Sequence, residues 1–116
     1  MESQLDVWKI SLFLVVDIYG LTEKFPKSEK YGITNQLRRA SVSVTSNIAE
    51  GAARKSAVER RRYYEISRSS LVEIDTQLEI SLQLKFCSET EKELAVIQEK
   101  MNHLFAKMSN LIQNTK

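Results

Sequence analysis

Six residues in the middle of the chain, Ser41 to Ser46, decide its fold class. As SVSVTS they alternate small polar and β-branched side chains with a period of two, the pattern of a half-buried strand. In the wider window Ile33, Leu37, Ala40, Val44 and Ile48 recur at spacings of four and three, which is the seam of a helix. No second strand-like run exists for the six to pair with, so the helix is the reading that fits. Ser and Thr are mediocre helix formers because their hydroxyls bond their own backbone. A solvent-facing helix would not be built from them. Small side chains do let a neighbouring helix come close, so the whole stretch Gln36 to Arg54, QLRRASVSVTSNIAEGAAR, reads as a packed helix. Any arginine, Asn or Glu that it buries needs a partner.

The rest of the chain agrees with an all-α class. Three glycines and one proline in 116 residues leave little material for loops. Helix 1 is expected from about Val7 to Lys24 with Asp6 as its N-cap. At 3.6 residues per turn, Leu5, Trp8, Leu12, Val15, Val16 and Tyr19 make one apolar face. Val7, Ile10, Leu14, Ile18 and Leu21 make a second, nearly opposite, and Asp6, Lys9 and Asp17 fill a narrow strip between. A helix that is apolar on two sides is buried on two sides. One four-helix bundle supplies only one core, so the other face requires a further partner.

Phe25-Pro26 stops helix 1, because the residue before proline is pushed out of the α region. Helix 2 is expected to start near Thr34 as its cap, and Gly51 to end or loosen it. Ser56-Ala57-Val58-Glu59 is a capping box opening helix 3, about Ala57 to Phe86. Tyr64, Ser67, Leu71, Ile74, Leu78 and Leu82 form its seam, and Tyr63, Ile66, Ser70, Ile80 and Leu84 extend the expected buried arc. Ser88-Glu89-Thr90-Glu91 reads as a second capping box opening helix 4, whose seam is Leu94, Ile97, Met101, Leu104, Met108 and Leu111. The tail from Gln113 is expected to fray. Four helices with short links predict one domain over residues 1–116, an antiparallel up-down four-helix bundle.

The segment FPKSEKYGITNQLRRASVSVTSNIAEGAARKS, followed by SSLVEIDTQLEIS, resembles the bacterial four-helix-bundle family named for 23S ribosomal RNA intervening sequences. The family pattern runs FP, E, YGL, QLRRA, SIPSNIAEG and R, then GSL with a following E and L. Thr45 stands here in place of the usual Pro, and Ser69 in place of the usual Gly. The resemblance implies a homo-oligomer, commonly a pentamer. More distant relatives are accessory proteins of reverse transcriptases in diversity-generating retroelements.

Two constellations are candidates for function. Arg38, Arg39, Asn47, Glu50 and Glu73 are the polar groups expected inside, either as a ligand site or as a network holding helix 2 to helix 3 or to a neighbouring subunit. The planar guanidinium fork suits carboxylates in such places. The second constellation is a basic block. Residues 51–70 carry Arg54, Lys55, Arg60, Arg61, Arg62 and Arg68 against Glu59 and Glu65, in a chain of net charge +2. Arg54, Lys55, Arg60, Arg61 and Arg62, with Tyr63 and Tyr64 beside them, suggest RNA or another nucleic acid, since aromatic rings stack on bases. The plainer reading is a solvated helix start with ion pairs such as Arg61 to Glu65 and Glu65 to Arg68.

No pattern for catalysis is present in the sequence. His103 has no second His or Cys at metal-ligand spacing, and Cys87 has no activating motif. No cofactor or metal is expected, and no enzyme. The lone cysteine points to a reducing cytoplasm. The apolar run Ile10 to Val16 is far short of the ~20 residues that span a bilayer, so no membrane partner is expected. The expected function is a homo-oligomeric binding scaffold with RNA, or a nucleic-acid-handling protein, as its second partner. The alternative is a protein adaptor with no nucleic-acid role.

Overall fold

A computed structural model describes residues 3–116. Four helices make up the described chain: α1 (Gln4–Thr22), α2 (Ile33–Ala52), α3 (Ala57–Gln83) and α4 (Lys92–Asn114), with a 3-10 turn at Lys27–Glu29 after Pro26. Bonds between helices fix the direction of every neighbour. Thr45 donates to Ser11 while Arg38 donates to Thr22, so α1 and α2 run antiparallel. Ser43 bonds Ser70 in α3. Arg68 donates to Ser109, Arg61 to the Thr115 carbonyl, Lys100 to Asp17 and Lys24 to Glu93. Each pair adjacent in the square is antiparallel, and the chain is an up-down four-helix bundle.

The expected seams are the core. Leu14, Ile18 and Leu21 of α1 meet Leu37, Val44 and Ile48 of α2, Leu71, Ile74 and Leu78 of α3, and all six seam residues of α4. Burying each large aliphatic side chain contributes roughly 1.5–3 kcal/mol, far more than a surface ion pair at up to about 1 kcal/mol. Periodicity therefore dominates the fold. The SVSVTS run is helical, and its hydroxyls explain how. Ser41 bonds the Arg38 carbonyl, and Ser67 of α3 donates across to the Val44 carbonyl of α2 at 2.7 Å. Ser11, Thr22 and Ser81 are likewise buried and bonded to their own preceding turn. Each of these buried serine and threonine hydroxyls is satisfied without bulk, so the helices approach closely.

The helix ends depart from expectation. Ser3, not Asp6, caps α1, accepting from the amides of Leu5 and Asp6. Thr34 is buried one residue inside α2. Gly32 is the N-cap, and the Glu29 carboxylate accepts the Ile33 amide at 3.2 Å. Ser56 caps α3 as expected, accepting the Glu59 amide. That helix ends at Gln83, and Lys85 takes the left-handed conformation (φ 63°). The Phe86 amide then reaches the Ser81 carbonyl and the Lys85 amide the Leu82 carbonyl, a Schellman closure. Glu91 does reach back to the Ser88 amide, yet this closes only a turn, and α4 begins at Lys92. The tail is not loose, since Thr115 accepts from Arg61.

Gly51 is the next-to-last residue of α2, which ends one residue later at Ala52, and what requires a glycine there is a close approach. A Cβ there would sit 2.6 Å from the Tyr64 ring and 3.2 Å from the Arg60 carbonyl. The ring is buried, so it has nowhere to go. Gly51→Ala is expected to destabilise the fold by about 1–3 kcal/mol through overpacking, despite the better helix propensity of alanine. A Cβ on Gly20 meets nothing within 4 Å, so Gly20→Ala should stabilise by up to about 1 kcal/mol. Denaturant melts of the two variants check the opposite signs, and a stabilised Gly51→Ala would refute the close-approach account.

Candidate functional site

The basic block folds at one end of the bundle, around the turn from Ala53 to Ser56. Most of it is consumed by structure. Arg54 pairs with Glu50 at 2.9 Å, donates to the Tyr63 hydroxyl at 3.1 Å, and lies 4.8 Å from the centre of the Tyr63 ring. Arg60 donates to the carbonyls of Arg54 and Lys55 at 3.2 and 2.7 Å, bracing the turn that joins α2 to α3. Arg61 holds the Thr115 carbonyl at 2.7 Å and so ties down the end of α4. Three of the five cations are therefore taken up by a carboxylate, by turn carbonyls or, for Arg61, by the C-terminal end of α4, where a cation suits the helix dipole.

The side chains of Lys55 and Arg62 are exposed and make no hydrogen bond or ion pair among the described residues. Of the two tyrosines, Tyr63 is half-buried under Arg54, and Tyr64 is only 2% exposed, packed against Gly51. Tyr64 cannot stack on a base without unfolding this end of the bundle, which corrects the reading of a paired aromatic platform. The expected pairs Arg61 to Glu65 and Glu65 to Arg68 are also replaced. Arg68 instead reaches Ser109 and the Phe105 ring on α4.

The polar residues expected to form one internal network separate into local pairings. Arg38 turns toward α1, donating to Thr22 at 2.9 Å and Glu23 at 3.2 Å over the Tyr19 ring. Asn47 donates back to Ser43, whose hydroxyl bonds Ser70. Glu50 goes to Arg54. Arg39 and Glu73 are exposed, without a hydrogen bond or ion pair among the described residues. The helical periodicity places these groups near the α2–α3 seam but cannot say which side of it they face.

Residues 3–110 match the model of the 23S rRNA-intervening sequence protein. The chain belongs to that family. No curated protein matches it. Among solved structures it is similar to a protein of unknown function from the S23 ribosomal protein family of Bacteroides thetaiotaomicron, with TM-score 0.85 and 18% identity, over 96% of this chain and 98% of that one. At that identity the likeness speaks for the fold alone.

The family member has a second surface, which composition does not reveal. Leu5, Leu12, Val16 and Tyr19, expected to be buried, point outward from α1 with Phe13 beside them, and Val16 is 68% exposed. Trp8 and Val15 of the same face are half-covered. On α3, Ile66, Ile80 and Leu84 are likewise exposed rather than part of a buried arc. Titratable chemistry is sparse. His103 is exposed, and burial, with Glu91 nearby, pushes the Cys87 thiol up and keeps it protonated. Among the described residues no group of three His, Cys, Asp or Glu side chains is placed to hold a metal ion, and no helix is long and apolar enough to cross a membrane.

Burial raises the Tyr64 phenol above its ordinary value of 10.0, with Arg60 pulling the other way. The fold therefore favours the neutral ring. Below pH 10 both folded and unfolded chains hold the proton and stability does not depend on this group. Above it the unfolded chain ionises first, and stability falls as pH rises. Ultraviolet titration should show one late phenol among the four tyrosines. Tyr64→Phe should remove its share of the alkaline loss, and four indistinguishable phenols would contradict the packed ring.

Proposed function

We propose that this family member is a non-catalytic, cytoplasmic helical scaffold that assembles with copies of itself through the outward face of α1. The observation that carries the reading is the stripe Leu5, Leu12, Val16 and Tyr19, with Phe13 at its edge. A contiguous apolar face of this kind on a small soluble domain marks an interaction site. The pentamer is the form that the family resemblance favours. Light scattering on a sizing column should give a mass that is a multiple of 13.4 kDa. Val16→Asp should fold normally, because Val16 touches solvent in the single chain, yet dissociate the assembly. A parent that runs as a 13.4 kDa monomer at micromolar concentration would sink the reading.

The basic end is where such a scaffold would meet RNA or another nucleic acid. Lys55 and Arg62 supply this reading, and repetition around an assembly would strengthen individually weak interactions. Neutralising a phosphate releases counterions, so binding should weaken steeply with salt. Replacing both cations with Ala should reduce the slope of log K against log salt by roughly one for each phosphate left unneutralised. Titration of a structured RNA at several salt concentrations measures this. An unchanged slope removes the basic end from consideration. No binding by the parent at low salt favours the protein-adaptor alternative.

A further inference from the structure

We infer that the cleft between the end of α1 and the start of α2 binds a small phosphate monoester. It lies at the opposite end of the bundle from the basic block and holds about 310 Å³. One hydroxyl marks it. Thr34 lines the cleft at 6% exposure, and its side chain makes no hydrogen bond among the described residues. The other buried serine and threonine hydroxyls among those residues all bond within the chain. Nor is the Thr34 hydroxyl sealed from solvent. The sealed side-chain atoms without a partner are Arg54 Nε, Gln77 Oε1 and Glu91 Oε2. A hydroxyl buried without a partner costs free energy, which a ligand oxygen in the cleft recovers. Thr34 is also the second residue of α2, where the helix dipole favours an anion.

Charge and shape name the ligand. Lys27, Lys30 and Arg38 line the cleft against one carboxylate, Glu23, which leaves a net charge of +2. Lys27 and Lys30 are exposed, and neither makes an ion pair among the described residues. Arg38 is already oriented, since its Nε donates to Thr22 at 2.9 Å and its guanidinium lies 4.6 Å from the centre of the Tyr19 ring. Its Nη2 reaches Glu23 at 3.2 Å, but that carboxylate is 82% exposed, so a phosphate oxygen displaces it at little cost. The other charges of this link are committed elsewhere. Glu29 accepts the Ile33 amide at 3.2 Å, and Lys24 pairs with Glu93 at 2.6 Å. A phosphate monoester carries close to two negative charges at neutral pH and suits an arginine fork. The remaining wall is apolar and stiff. Phe25 packs on Phe86 with ring centres 5.8 Å apart, and Pro26 follows it. Inorganic phosphate leaves that wall bare, whereas a ring or short chain on the ester oxygen covers it.

Phenyl phosphate is the probe, titrated into the intact protein and followed by calorimetry and by amide resonances. One saturable site per chain is expected, with the largest shifts at Lys30 and Thr34. Inorganic phosphate and benzoate should reach the same residues more weakly, because one lacks the ring and the other the second charge. Thr34→Val keeps the shape and removes the hydroxyl, and should weaken phenyl phosphate by about tenfold or more. Lys27→Gln with Lys30→Gln changes only exposed side chains, so it reads the site even where Thr34→Val fails to fold, and it should abolish saturable binding. Melting by circular dichroism controls for folding. Either variant binding as tightly as the parent overturns the site. So does absence of binding by the parent, or shifts confined to Lys55 and Arg62 at the other end. Inorganic phosphate binding as tightly as the phenyl ester removes the role of the apolar wall and overturns the ligand class. A 5′-phosphorylated oligonucleotide that saturates the same residues at far lower concentration overturns it too, in favour of a nucleic-acid end.

Discussion

The close approach of α2 and α3 is the constraint on which the rest of the bundle depends. It is achieved by leaving side chains out. Gly51 gives way to the Tyr64 ring, and Ser67 reaches the Val44 carbonyl directly. Ser43 and Ser70 touch at the outer edge of the same seam. Larger residues at these positions would push the helices apart and open voids beneath Leu71 and Ile74, and interiors tolerate neither strain nor voids cheaply. The hydroxyls are the solution to a second problem. Ser67 and Ser70 are buried and Ser43 is half-buried, and each finds a carbonyl or another hydroxyl, so close packing incurs no penalty for unsatisfied polar atoms.

α1 is joined to this pair differently. Its inner face is aliphatic, and its flanks are held by longer side chains: Arg38 over Tyr19 on the α2 side, and Lys100 with Asp17 beside Phe13 on the α4 side. These interactions lie at the rim and are worth little individually. They do orient α1 so that its second apolar face looks outward. The same rotation that buries Leu14 and Ile18 exposes Leu12 and Val16, because a helix has only one inside. The surplus hydrophobicity of α1 is therefore left on the surface of the single chain.

The basic block shows how local composition misleads about function. Its net positive charge is real, yet three of its five clustered cations bond turn or helix-end carbonyls, a carboxylate or a tyrosine hydroxyl. Only Lys55 and Arg62 combine exposure with the absence of a partner among the described residues. A guanidinium has several donors, and a bundle end has several orphan carbonyls, so an arginine near a helix terminus is readily absorbed by the fold.

The four helices, their order and their core were legible in the sequence, since apolar spacing of three and four survives any reasonable packing. Each α4 seam residue, from Leu94 to Leu111, is buried where its spacing put it. The family was legible from the motif around QLRRA and SNIAEG. Helix ends were less so, because caps depend on which of several nearby side chains wins: Ser3 over Asp6, and Glu29 with Gly32 over Thr34. What only the tertiary structure decided was facing. Residues such as Arg39, Glu73 and Ile66 lie within about a quarter turn of a helix seam. A small rotation sends one to water and its neighbour to the core, and that rotation is set by how closely α2 and α3 pack, a quantity no single helix contains.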